Sequence, residues 1–204
     1  MRSEADQTFE TKGAQTRRAI LQAAIARFGR DGFRATSVVD IARDASIGGT
    51  VAYAYFPSKE ALFLAAVDDD AAGVIQEGLA TVLDVPDVRR WHDTLIFTLV
   101  DAVQRHPLAR RLLAGLEPDV TVRVLEIPAL NELRKACTEL LRTGQAAGTV
   151  RPDIDPVAVG NGIIALMLSV LMSVTQLGNE AAVAYSHDVA AVFEAALTSP
   201  VERR

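Results

Sequence analysis

Two observations predict an all-α protein. Apolar residues recur at the three- and four-residue spacing of amphipathic helices, as at Ile20, Ala24 and Phe28. The eight prolines can all lie near the ends of intervals of helix length, where proline is tolerated. With 204 residues, 50% of them hydrophobic but only 5% aromatic, the chain can build one or two domains around an aliphatic core.

These signals place every helix in turn. Ser58, Asp155 and Asn179 are predicted N-caps, because their side-chain oxygens can accept hydrogen bonds from free amides. The stretch 120–124 alternates like a strand but has no evident partner, so we interpret it as helix or loop. The predicted helices are 14–31, 37–45, 48–55, 58–84, 87–105, 107–116, 128–147, 156–178 and 180–198.

The net charge of −5 is unevenly distributed. Residues 11–60 contain eight Lys and Arg against four Asp and Glu, whereas residues 61–204 contain 12 against 19. A small basic head on an acidic body can face a polyanion with one part only. The first 19 residues include no apolar run, and Cys137 has no second cysteine to pair with, so we expect a cytoplasmic protein without a secretory signal.

Residues 37–56 have the spacing of a helix-turn-helix. A short helix would bury Val38, Ile41 and Ala42, a turn follows at 46–48, and a second short helix begins. In that motif the second helix faces outward and enters the major groove of DNA. The spacing alone also fits an ordinary α-hairpin within a helical core.

A longer segment carries a more specific pattern. Residues 16–64, and above all the run from Tyr53 to Leu62 (Tyr-Ala-Tyr-Phe-Pro-Ser-Lys-Glu-Ala-Leu), resemble the amino-terminal domain of the tetracycline-repressor (TetR) family. The resemblance implies an all-helical homodimeric transcriptional regulator, usually a repressor that a small molecule releases. It divides the chain into a flexible arm (1–11), a DNA-binding domain (12–60) and a ligand-binding and dimerisation domain (61–204).

The resemblance also implies which side chains contact DNA. Lys59 and Tyr53 would touch the phosphate backbone. Thr36 and Ser37 carry hydroxyls that suit either a phosphate or plain helix capping.

The second helix of the motif departs from the common family pattern. It has Gly48, Gly49, Thr50 and Val51 where basic, hydroxyl or other small residues are usual, and no Lys or Arg occurs between 44 and 59. Arginine reading of guanine is therefore unavailable, and base contacts fall to Thr50, Val51 or Ala54. Either the glycines permit close approach to DNA, or the head is vestigial and the chain is a dimeric small-molecule-binding protein.

Residues 157–179 contain no charge. A run of this length can span a bilayer, but polar residues interrupt it and no basic cluster flanks it. We expect instead a buried helix that touches a second subunit and pairs with the last helix in a four-helix dimer interface. Such a dimer would present two heads to a near-palindromic double-stranded operator, and no membrane partner is expected.

A ligand pocket is expected inside the carboxy-terminal domain. Because its walls would be apolar, we expect a small apolar effector, although for each residue taken singly plain core packing is the better explanation. The candidate lining residues are Trp91, Leu95, Leu99, Leu113, Met167 and Leu171.

No pattern indicates an enzyme, a metal site or a cofactor. The glycines at 160 and 162 imitate a dinucleotide fingerprint but follow no strand. His92, His106 and His187 lack metal-ligand spacing, so we place them at solvated surfaces. The acids at 68–70 are likewise expected on a solvated face.

Overall fold

The computed structural model describes residues 11–83, 91–119 and 125–198, without the side chains at 81–83, 91–96, 179 and 181–187. These ranges contain helices and no strand, as the sequence predicts. Residues 1–10 of the predicted arm (1–11) and the ambiguous stretch 120–124 lie outside them. The helices are α1 (Lys12–Ala35), α2 (Val38–Asp44), α3 (Gly49–Tyr55), α4 (Lys59–Leu83), α5 (Trp91–Arg105), α6 (Pro107–Leu113), α7 (Pro128–Ala146), α8 (Pro156–Leu177) and α9 (Asn179–Leu197).

The chain forms two compact units. The first runs to Ala66 and the second begins at Val67, so the boundary falls within α4. We call the first unit the head and the second the body. Each has a core of its own.

The core of the head forms around α1. The helix buries the apolar face that its spacing predicts, including Ile20, Ala24 and Phe28. Its backbone leaves helical geometry at Gly32 (φ 83°, ψ 168°), a conformation that favours glycine. Phe63 of α4 then packs edge-on against both Phe28 and Phe33, with ring centroids 5.0 and 4.9 Å apart.

The turn between α2 and α3 is a Schellman motif. The amide of Ile47 donates to the carbonyl of Ala42 (2.9 Å), and the amide of Ser46 donates to that of Arg43 (3.0 Å). Ser46 therefore adopts φ 57°, a left-handed conformation that costs a non-glycine residue about 1 kcal/mol. Ile47 is half-buried in the turn, so the predicted helix-turn-helix is present.

The body packs its helices around α8. That helix contacts α5, α6, α7 and α9. Val74 of α4, Val103 of α5, Ala109 of α6 and Leu171 of α8 meet in one buried cluster. This cluster is aliphatic, as the low aromatic content predicts, whereas the core of the head contains packed phenylalanine rings.

Within the described ranges, α8 is the one helix long and apolar enough to cross a membrane by length and composition. The core helix of a soluble protein satisfies the same criteria. Here α8 buries one face, including Ile164, Met167 and Leu171, against its neighbours in the body. Within one copy of the chain 33% of the most apolar stretch of α8 is buried, so α8 is a core helix on one face only.

Prolines begin three of the helices, and the caps largely follow the sequence. Pro107, Pro128 and Pro156 each lie in a first helical turn. The predicted caps Ser58 and Asp155 accept hydrogen bonds from the amides of Ala61 (3.0 Å) and Val157 (2.9 Å), respectively. The prediction for Asn179 was wrong by one residue, because Gly178 takes the N-cap position and Asn179 begins the helix.

Two other helix starts receive their caps from α4. The N-cap residues of α6 and α7 are His106 and Ile127, and neither side chain caps its own helix. Instead Asp70 Oδ2 accepts from the amides of Leu108 (2.9 Å) and Ala109 (2.8 Å). Asp68 Oδ1 accepts from the amide of Ala129 (3.0 Å).

The acids at 68–70 therefore do not share a solvated face, contrary to the sequence-based interpretation. Only Asp69 is exposed, while Asp70 is 5% exposed and Asp68 is half-buried. The carboxylates of Asp68 and Asp70 accept hydrogen bonds from free amides at the two helix starts. The positive end of each helix dipole also stabilises a negative charge at that place.

His106 is held against α4 as well. Its Nδ1 lies 2.9 Å from Asp70 Oδ1 and its Nε2 lies 3.3 Å from Glu77 Oε1. The ring fits there because residue 73 is glycine, since a Cβ atom at that position would lie 2.1 Å from His106 Cε1. The predicted solvated position for His106 was thus wrong.

We predict that Gly73→Ala lowers the free energy of unfolding by about 1–3 kcal/mol, because the added methyl displaces the imidazole ring. In a His106→Ala background the same substitution should raise it by about 0.5–1 kcal/mol, because alanine is the better helix former. Urea unfolding of the four combinations measures both effects. Equal effects in the two backgrounds would contradict the contact.

Candidate functional site

The outward face of α3 is exposed and uncharged. Thr50, Val51, Tyr53 and Ala54 are all exposed, whereas Ala52 faces the core. Val51 retains 41% and Tyr53 50% of its accessible surface. The helix therefore presents two hydroxyls and several methyl groups to its surroundings, as the sequence predicts for the second helix of the motif.

The glycine pair leaves two valines uncovered beside this face. A Cβ atom on Gly48 would lie 3.6 Å from a methyl of Val51, and one on Gly49 would lie 3.8 Å from a methyl of Val39. Both are ordinary van der Waals distances, so side chains would fit at both positions. Val39, in the first turn of α2, is 53% exposed and was not among the predicted residues.

The two predicted hydroxyls before α2 differ in position. Ser37 Oγ caps the helix by accepting from the amide of Asp40 (3.1 Å), and it also donates to the carboxylate of Asp40 (2.6 Å). Thr36 is buried, and its hydroxyl donates to the carbonyl of Gly32 (2.8 Å). Thr36 therefore does not belong to the exposed surface, which corrects its assignment as a phosphate contact.

Cations of the head lie on aromatic rings. Lys59 Nζ lies 4.5 Å from the ring centre of Phe33, and it donates to the carbonyl of Arg34 (3.4 Å). The guanidinium of Arg17 lies 5.1 Å from the ring centre of Phe56, which is buried. Such contacts hold a cation near the surface while its charge stays available to an anion.

Three acids of the head are paired internally. Arg27 makes two hydrogen bonds to the Asp44 carboxylate, at 2.6 and 2.8 Å, and thereby joins α1 to α2. This contact holds the pKa of Asp44 below its usual range. Arg30 pairs with the neighbouring Asp31 through two hydrogen bonds, and Arg43 pairs with Asp40 through one. These carboxylates are consequently fixed beside cations within the head.

A cavity of about 210 Å³ lies inside the body. Helices α4 to α9 all contribute to its wall, and in the described part of the chain no charged, amide or hydroxyl side chain lines it. Cys137 contributes a thiol, and burial raises the pKa of that thiol to about 11, so it is neutral at pH 7. The cavity can therefore accept apolar surface but offers nothing to balance a charge.

Four of the six predicted lining residues, Leu99, Leu113, Met167 and Leu171, lie on this wall. The side chains of Trp91 and Leu95 lie outside the described ones. Sequence reasoning missed the contribution of α4. The apolar spacing of that helix could have indicated it, since its lining residues are Val67, Ala71, Val74, Ile75, Gly78 and Leu79.

One face of α8 is exposed without carrying charge. The exposed residues recur every three or four positions, and most of their side chains are small. On α9 the exposed positions include Ala191, Val192 and Ala195. The residues of this α8 face are Ala158, Asn161, Gly162, Ala165, Ser169 and Met172.

Family comparisons match both units. Residues 20–66 match the model of "bacterial regulatory proteins, tetR family", and residues 90–193 match that of the "transcriptional regulator SbtR-like, C-terminal domain". The HTH-type transcriptional repressor NicS of Pseudomonas putida is 30% identical over 148 residues, which cover 69% of this chain and 68% of NicS.

Solved structures share the fold. A TetR-family regulator from Cytophaga hutchinsonii has a TM-score of 0.72 at 18% identity, over 93% of this chain and 98% of that one. Thermus thermophilus FadR, a TetR-family repressor in complex with lauroyl-CoA, has a TM-score of 0.63 at 23% identity, over 90% and 96%. These matches confirm the predicted fold class, and they agree with the expectation of a regulator rather than an enzyme. The chain belongs to the TetR family of bacterial transcriptional regulators.

Proposed function

We propose that the protein is a homodimeric cytoplasmic repressor that binds a near-palindromic operator and is released by a small apolar effector. The observation that carries this proposal is the exposed, uncharged α3 on a head in which Asp31, Asp40 and Asp44 are each paired with an arginine. Such a head attracts a phosphate backbone and presents a helix that fits the major groove.

The DNA surface we propose consists of predicted residues without Thr36. The hydroxyl of Tyr53 and the ammonium of Lys59 contact phosphates, and so does the first turn of α2, where Ser37 is the N-cap. Gly48 and Gly49 let the backbone of the turn approach DNA, while Thr50 and Val51 face the bases. Affinity then comes mainly from phosphate contacts, which release counterions and depend on salt.

The exposed face of α8 supports a dimer. A helix whose outward face carries no charge and many small residues can pack closely against a second copy of itself. Together with α9 it would form the four-helix interface that the sequence predicts. The dimer would hold two heads for two half-sites.

The cavity in the body is the observation that supports a small apolar effector. An engineered apolar cavity of about 150 Å³ accepts benzene, so a space of about 210 Å³ suits a slightly larger apolar molecule. FadR of Thermus thermophilus, which shares the fold, was solved with lauroyl-CoA. Because α4 contributes to the cavity and also begins in the head, occupancy of the cavity can act on the head along one continuous helix.

We predict that the wild-type protein retains DNA from upstream of its own coding region, with affinity falling about 1,000-fold or more between about 50 and about 200 mM salt. Tyr53→Phe and Lys59→Ala should each weaken binding by about tenfold, because each removes a phosphate contact. Electrophoretic mobility shifts measure this, with Lys135→Ala, an exposed lysine of α7, as the control. Absence of binding at low salt would indicate a vestigial head.

We predict that Ala165→Glu raises the dimer dissociation constant by roughly 100-fold or more, because each subunit would bury an unpaired charge. Sedimentation velocity measures the subunit state. Thr143→Glu, at an exposed position of α7, should leave it unchanged. A wild-type monomer, or an Ala165→Glu dimer of unchanged affinity, would contradict the interface.

We predict that toluene raises the melting temperature and releases bound DNA, whereas benzoate does neither because the described wall offers no partner for a carboxylate. Ala71→Leu should abolish the toluene effect by filling the cavity while leaving DNA binding intact. Differential scanning fluorimetry and mobility shifts measure the two responses. An equal response in Ala71→Leu would place the ligand elsewhere.

A further inference from the structure

The glycine pair and the two exposed valines form one apolar surface on the head. We define the methyl patch as Val39, Gly48, Gly49 and Val51. The virtual Cβ positions of the glycines lie within ordinary contact distance of the valine methyls, so a side chain at 48 would touch Val51 and one at 49 would touch Val39. The sequence keeps both positions bare, and 53% of Val39 and 41% of Val51 stay accessible.

The surroundings of the patch indicate which partner covers it. Thr50 and Tyr53 provide exposed hydroxyls on the same helix. Residues 11–60 carry a net positive charge, and Asp31, Asp40 and Asp44 are each paired with an arginine. An apolar patch on a cationic surface is complementary to an apolar group on a polyanion. In the major groove of DNA the thymine C5-methyl is that group.

We propose that the methyl patch reads thymine, with Val39 and Val51 each packing against a thymine C5-methyl in every operator half-site. This assignment rests on the proposed function and specifies its DNA substrate. With no arginine or lysine on α3, the bidentate contact to guanine is unavailable, so the chain discriminates bases chiefly by methyl burial. Val39 extends the readout from α3 to the first turn of α2.

The test replaces single thymines of the bound fragment with deoxyuridine. This exchange removes the C5-methyl and keeps the base pair. Burial of one methyl group corresponds to about a fourfold change in affinity, and paired replacement in both half-sites to about fifteen-fold. We expect such losses at one or two positions in each half-site and no change elsewhere.

Variants then assign each methyl to a side chain. Val51→Ala should remove the deoxyuridine penalty at one position and Val39→Ala at another, and circular dichroism should show both variants folded because both side chains are exposed. Lys59→Ala is the matched control, since loss of a phosphate contact weakens binding to thymine and deoxyuridine fragments equally.

The outcomes separate this inference from the proposed function. Bound DNA that tolerates deoxyuridine at every position, or penalties that persist unchanged in both valine variants, would overturn the methyl patch and leave the repressor proposal standing. If no upstream DNA is retained at low salt, the two proposals fail together. Position-specific penalties that each valine variant removes would establish the readout.

Discussion

The architecture of the body depends on two carboxylates of α4. Helices α6 and α7 begin with proline after His106 and Ile127, which leave the first free amides of both helices without a cap of their own. Asp70 and Asp68 supply the missing acceptors. An amide left unpaired in this interior would cost about 1–3 kcal/mol, so α6 and α7 are held to α4 in one register. All three helices line the cavity, and its shape therefore follows from these hydrogen bonds.

Sequence reasoning predicted the helices but not these contacts, for a physical reason. Proline positions, apolar spacing and capping side chains are local properties of the chain, and they were sufficient to place the helices and two of three caps. Neighbours separated by two positions on a helix point about 200° apart, so Asp68 and Asp70 could not share a face. Their opposite directions agree with their separate partners, since Asp70 caps α6 and Asp68 caps α7. No local pattern in the sequence shows where along the chain the partners of these two side chains lie. Gly73, whose missing side chain leaves room for His106, is a local sign of one close contact on α4.

At the proposed DNA surface, too, the sequence predicted what depends on local structure and missed what depends on tertiary contacts. Adjacent Thr36 and Ser37 carry the same functional group, but the kink at Gly32 turns the first hydroxyl inward to a carbonyl. Sequence alone assigns both to the surface. Val39 was absent from the predicted surface because its position beside Gly49, ten residues later, is set by the way α2 and α3 turn against each other. Residues on α3 itself were easier to predict because the helix-turn-helix fixes their orientation.

Because α3 carries no charge, affinity for DNA and discrimination between bases come from different residues, whereas an arginine on that helix would contribute to both. Under the proposed function, Lys59 and Tyr53 contact phosphates, which every sequence offers equally, so they contribute affinity without preference. Methyl burial by Val39 and Val51 is uncharged and releases no counterions, so it does not vary with salt in the way phosphate contacts do. Salt then changes how tightly the head holds DNA in general while leaving its ratio of specific to nonspecific binding nearly constant. A recognition helix that contained arginine would lose affinity and discrimination together.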